Sequence, residues 1–145
     1  MKNRKHVKYM KVCVDLAMLA PKKGDFPFGS IVVWKDKIVG RGYNKAIAKK
    51  EICLHAEILA LIEAQKKLSN KELSECTIYS TVEPCPMCSF AIRELNIKIV
   101  IFGLRSPVMG GYSNWNILQD KKIVEILPEI FPRIPKIIPD VFKLG

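Results

Sequence analysis

Apolar positions near the amino terminus recur at helical spacing. Val7, Met10, Val14 and Ala17 or Met18 fall on one face, which predicts an amphipathic helix over residues 6–20. Pro21 and the polar loop Lys22-Lys23-Gly24-Asp25 stop it. Phe28 to Trp34 and Ile38 to Tyr43 are β-rich runs joined by Lys35-Asp36-Lys37, the pattern of a hairpin. Leu54, Ile58, Leu61, Ile62 and Leu68 form the apolar face of a second helix over about residues 55–68. Thr77 to Thr81 reads as a short strand. Pro86 suits the first turn of a helix running to Leu95, where its missing N–H is not needed.

Ile97 to Gly103 is nearly continuously apolar, as expected of a strand covered on both faces. Past Gly110 and Gly111 the pattern predicts a short helix over Asn114–Gln119 and an edge strand over Ile123–Ile126. Pro128, Pro132, Pro135 and Pro139 then exclude a long helix before Pro139. A hairpin combined with β-α-β crossovers predicts a three-layer α/β/α domain on a mixed five-stranded sheet. The expected organisation is one domain over 1–145, with a core over about 6–127 and a proline-rich tail over 128–145.

Composition adds a core and a charge asymmetry. Nearly half of the 145 residues (49%) are hydrophobic, which supplies a core and argues against disorder. No apolar run reaches the ~18 residues of a membrane span. The net charge is +10, and up to Lys50 there are 13 Lys+Arg against Asp15, Asp25 and Asp36, whereas the rest is neutral. A localised basic surface attracts phosphate-bearing partners, although a solvated basic face has the same composition. Five cysteines, an odd number in a chain that needs no staples, point to a reducing, cytoplasmic compartment. The basic start and Val12–Ala20 resemble a secretory signal in part, but Asp15 interrupts the run and favours the helix.

The chemistry lies in two short stretches. Leu54-His55-Ala56-Glu57 opens the second helix, and Glu83-Pro84-Cys85-Pro86-Met87-Cys88 opens the third. Cysteines at i and i+3 on a first helical turn face one point, and helix N-termini favour the thiolate that binds metal. One imidazole (His55) and two thiolates (Cys85, Cys88) suit one Zn²⁺ per chain and leave a tetrahedral position open, the mark of a catalytic site. Zinc would make a water nucleophilic near neutral pH. Glu57, two residues from the histidine, is placed to carry protons as a general acid/base.

His-x-Glu followed by Pro-Cys-x-x-Cys, here His55-Ala56-Glu57 and Pro84-Cys85-Pro86-Met87-Cys88, resembles the signature of zinc nucleobase deaminases. The resemblance to the cytidine deaminase-like superfamily runs from about Phe26 to Leu118. It is strongest to the branch of tRNA adenosine deaminases and bacterial guanine deaminases, through Phe26-Pro27-Phe28-Gly29, Gly42-Tyr43-Asn44 and Phe102-Gly103. It implies Asn44 as a hydrogen-bonding partner of base or ribose, the Ala56 N–H as a holder of a ring substituent, Phe28 as a pocket wall, and a homodimer. Tyr112 and Trp115 are candidates for stacking on a base or for anchoring their loop. Cys13 and Cys76 read as core residues.

Two further readings of the thiols stand beside this one. Cys53 with His55, Cys85 and Cys88 would close a structural Cys₃His site and make the chain a zinc-stabilised binding module. Cys85 and Cys88 alone would form a redox dithiol, which leaves His55 unexplained. Within the deaminase reading, Glu51-Ile52-Cys53-Leu54 replaces the Asp-Pro-Thr of tRNA-acting relatives, and the tail lacks their basic helix. The expected substrate is therefore a free nucleobase or nucleoside, with adenosine in a tRNA anticodon loop as the alternative. The basic first third favours that alternative.

Overall fold

A computed structural model describes residues 2–143. Its sheet has the order β2-β1-β3-β4-β5, formed by β1 (Gly29–Trp34), β2 (Lys37–Tyr43), β3 (Thr77–Val82), β4 (Ile99–Leu104) and β5 (Lys136–Ile138). β1 is antiparallel to β2 and β3, while β4 is parallel to β3 and to β5. The expected mixed five-stranded sheet is thus present.

Alternation along the strands builds two cores. Ile31, Val33, Tyr79 and Ile101 face α1 (Lys2–Ala17), which buries Tyr9, Met10 and Cys13 against them. Val32, Ile78, Val100 and Phe102 face the opposite layer, made by α2 (Ala56–Lys67), the short α3 (Asn70–Leu73), which contributes Leu73, and α4 (Pro86–Glu94). Because both faces are covered, the strands read as continuous apolar runs. The basic amino-terminal segment is therefore a packed helix, with His6 Nδ1 2.8 Å from the Tyr79 hydroxyl. Cys13 and Cys76 are fully buried, as expected of core residues. Among the described residues no helix is long and apolar enough to cross a membrane.

Two glycines set the height of α2 over the sheet. A Cβ at Gly40 would lie 2.1 Å from the Ala60 carbonyl oxygen, and one at Gly42 would lie 2.3 Å from that of Ala56. Only hydrogen side chains allow α2 to lie this close to β2, and this contact fixes where the helix begins, at His55 and Glu57.

The segment after β4 departs from expectation twice. Residues 114–119 form turns, not a helix, because buried Arg93 Nη1 donates to the carbonyls of Ile117 (2.7 Å), Leu118 (3.3 Å) and Asp120 (3.0 Å) and holds the backbone open. Residues 123–126 belong to helix α5 (Lys121–Ile126), not to a strand. Asp120 caps it by accepting from the Lys122 N–H at 2.8 Å, and this cap outweighs the β-branched character of Ile123 and Val124. The fifth strand instead comes from residues 136–138, between Pro135 and Pro139, where an edge position tolerates flanking prolines. Phe131 and Val141 are buried, and Arg133 ties this segment to the Ser74 and Asn96 carbonyls.

Candidate active site

The start of α2 and the start of α4 meet at the carboxyl-terminal end of β3. His55 is the residue before the first turn of α2, and Cys85 holds the same place on α4 with Pro86 following it. His55 Nδ1 lies 3.5 Å from both Cys85 Sγ and Cys88 Sγ. Zinc bond lengths of about 2.3 Å to sulfur and about 2.0–2.1 Å to nitrogen, at a tetrahedral angle, separate such atoms by about 3.5 Å. The observed spacing therefore fits one zinc ion without rearrangement.

Cys88 and the imidazole lower the Cys85 thiol to about 4, while Cys85 and burial push the Cys88 thiol upward. A dication bound between the two sulfurs would hold both as thiolates. Among the described residues, the cluster able to hold a metal contains His55, Cys85 and Cys88. Cys53 is exposed and stands outside it, which leaves the closed Cys₃His reading without its fourth ligand.

Glu57, in the first turn of α2, is 6% exposed. Burial pushes its carboxyl up to about 7; repulsion from Cys85 adds to this, and the imidazole opposes it. Glu57 lines a cavity of about 370 Å³ together with His55, Cys85, Phe28, Asn44 and Ser80. That volume lies at the small end of ligand pockets, roughly 300–1,000 Å³. It admits a nucleobase but leaves the bulk of any polymer outside.

Asn44 and Phe28 line the cavity. Ala56 does not line it, being fully buried at the start of α2, where the first N–H groups lack an intrahelical acceptor. Tyr112 packs edge-on against Phe102, with ring centroids 6.0 Å apart, so it anchors its loop; Trp115 is exposed away from the cavity.

Two buried carboxylates that the sequence reading left without a role hold the walls in place. Asp25 accepts from the N–H groups of Phe26 (2.9 Å), Ile47 (2.8 Å) and Ala48 (3.0 Å) and from Asn44 Nδ2 (2.8 Å). It fixes the loop after β2 and leaves the Asn44 amide oxygen for a ligand. Burial opposes ionisation of Asp25, but these four donors outweigh it and keep the carboxyl below its usual range. Glu83 accepts from the N–H groups of Ser106 (3.1 Å), Tyr112 (3.0 Å) and Ser113 (2.8 Å), holding the loop after β4 over the cavity. A Cβ at Gly110 would meet Glu83 Oε2 at 1.6 Å. Glycine at position 110 is the sequence sign of that close approach; Asp25 carries no comparable sign.

A mixed sheet that brings one imidazole, two thiols and a buried carboxylate to a base-sized cavity defines a zinc-type deaminase domain. The family model described as the cytidine and deoxycytidylate deaminase zinc-binding region matches residues 3–104, and the chain belongs to that family. The tRNA-specific adenosine deaminase of Buchnera aphidicola subsp. Schizaphis graminum is 39% identical over 103 residues, 71% of this chain and 68% of its own. A solved chain from a study of A-to-I editing by tRNA:A34 deaminases superposes with a TM-score of 0.82 at 22% identity, covering 95% of both chains. The guanine deaminase of Bacillus subtilis superposes with a TM-score of 0.65 at 33% identity, over 69% of this chain and 64% of that one.

Proposed function

We propose that this chain deaminates adenosine in the anticodon loop of a tRNA, giving inosine and ammonia. The observation that carries the reading is the placement of buried Glu57 beside the His55, Cys85, Cys88 cluster at the floor of a cavity that fits one base. The substrate choice is supported by the relatives named as tRNA-specific adenosine deaminases, from Buchnera and from Aquifex aeolicus, the latter 38% identical over 113 residues. Their names favour the RNA reading over the free base or nucleoside that the sequence alone led us to expect.

His55, Cys85 and Cys88 hold the metal in this reading, and a zinc bound there supplies a Lewis acid that activates water near neutral pH. Glu57 removes a proton from the attacking water and delivers it to the adjacent ring nitrogen. The carboxylate then takes the remaining proton of the added hydroxyl and passes it to the departing amine, so that the C=O forms as ammonia leaves and one group serves as base and acid. Phe28 packs against the base, and the Asn44 amide oxygen accepts from it or from its ribose; Ala56, outside the cavity lining, takes no contact with the base in this reading. The target base must leave its stack to enter, which an anticodon loop permits at a smaller cost than a duplex does. We place the enzyme in a reducing cytoplasm as a homodimer, the assembly that the family resemblance implies.

The test is a panel of an anticodon stem-loop, adenosine, adenine, guanine, cytosine and cytidine, assayed for ammonia and for inosine. Turnover of the stem-loop is expected. Turnover confined to a free base or nucleoside would return the assignment to the small-molecule deaminases. Sedimentation as a monomer at micromolar concentration would refute the dimer.

A further inference from the structure

Behind the loop that forms one cavity wall lies a second concavity, of about 340 Å³, between the end of β2 and the exposed side of α2. Arg41, Lys45 and Lys66 line it around Tyr43. Lys23 Nζ donates to the Tyr43 hydroxyl at 2.7 Å, and Lys45 Nζ sits 4.7 Å from the centre of the same ring. Tyr43 therefore joins cations from two different loops into one surface.

Arg41, Lys45 and Lys66 against one acidic residue leave the groove net positive. Glu63 is the acidic residue of the groove, and it is already engaged: Oε1 accepts from the Arg41 N–H at 2.8 Å, and Oε2 lies 3.9 Å from Lys67 Nζ. Among the described residues, neither Lys23, Arg41, Lys45 nor Lys66 has a carboxylate within ion-pair distance. The groove also abuts the reaction cavity through a shared wall. Asn44, Ala46 and Ile47 line the cavity, while Lys45, between them, lines the groove.

We infer that this groove carries the phosphodiester backbone of the RNA whose target base enters the cavity. The inference rests on the tRNA reading and adds the path of the strand. A free base needs no such surface. A polynucleotide is held mainly through its phosphates, so cations beside the cavity mouth set affinity and register while the cavity reads the base.

The test compares wild type, a Lys45→Ala/Lys66→Ala variant and a Lys121→Ala/Lys122→Ala variant on α5, by anisotropy of a labelled anticodon stem-loop. Salt is varied between about 50 and 200 mM. Zinc content and melting temperature confirm that each protein is folded. The groove variant is expected to bind about tenfold more weakly, and its log Kd against log salt slope to fall by about 0.7 for each lost contact. The α5 pair should match wild type. A groove variant that binds like wild type, or equal losses in both variants, would overturn the groove. Stem-loop that binds through the groove without being deaminated would overturn the function and leave the groove standing. Wild type that binds no stem-loop overturns both.

Discussion

Replacing Asp25 with Asn separates the role of its charge from that of its shape. In the wild type each carboxylate oxygen takes two donors: Oδ1 takes Phe26 N–H and Asn44 Nδ2, and Oδ2 takes Ile47 N–H and Ala48 N–H. An Asn amide of the same size supplies one acceptor oxygen and one NH₂. Either orientation therefore turns two donors against a donor. Leaving a buried donor unsatisfied costs about 1–3 kcal/mol, so the pair costs about 2–4 kcal/mol if the lower part of that range holds for a loop with partial solvent access. Against a total stability of about 5–15 kcal/mol the variant folds but is visibly weakened.

The effect should depend on pH. A carboxyl held below its unfolded value of about 3.9 stabilises the fold above that pH and loses its contribution as pH falls through the folded value. Urea unfolding at neutral pH and at about pH 4 and below should show the wild-type advantage shrinking with acid. The KM for the stem-loop should rise more than kcat falls, because Asn44 and Ile47 lose their anchor while Glu57 keeps its place. A variant within about 0.5 kcal/mol of wild type with unchanged KM would refute the assignment of Asp25 as the organiser of that wall.

The other expectations concern the helix starts. Gly42→Ala should push the start of α2 off β2, since its Cβ would lie 2.3 Å from the Ala56 carbonyl oxygen; a loss of about 1–3 kcal/mol in urea unfolding is expected, together with weaker zinc retention through displaced His55. Cys88→Ala should abolish stoichiometric zinc and activity together, and a variant with one zinc per chain by elemental analysis would contradict the ligand set. Gly110→Ala should displace Glu83 and free the loop after β4, read as a lowered melting temperature and faster amide exchange at Tyr112 and Ser113.

The sequence was most legible where function is packed into neighbouring residues. His55, Glu57, Cys85 and Cys88 sit within two short motifs, so their spacing already implied the cluster found at 3.5 Å. The strands of the central sheet were legible because burial on both faces makes them apolar throughout. The carboxylates that shape the cavity were not. Asp25 reaches partners 19 to 23 residues away, and Glu83 partners 23 to 30 residues away, across loops whose path only the folded chain defines. After β4, local propensity failed for two reasons. Arg93, distant in sequence, sets the turns over residues 114–119, and the Asp120 cap outweighs the β-branched run at 123–126.

The most direct test uses Glu57→Gln, which keeps the size of the side chain and removes its ability to carry a proton. Zinc per chain and inosine formed in an anticodon stem-loop should be measured on the same preparations of variant and wild type. One zinc in each, with inosine from wild type alone, is the expected result. Inosine from the variant at a rate near that of wild type would contradict the account.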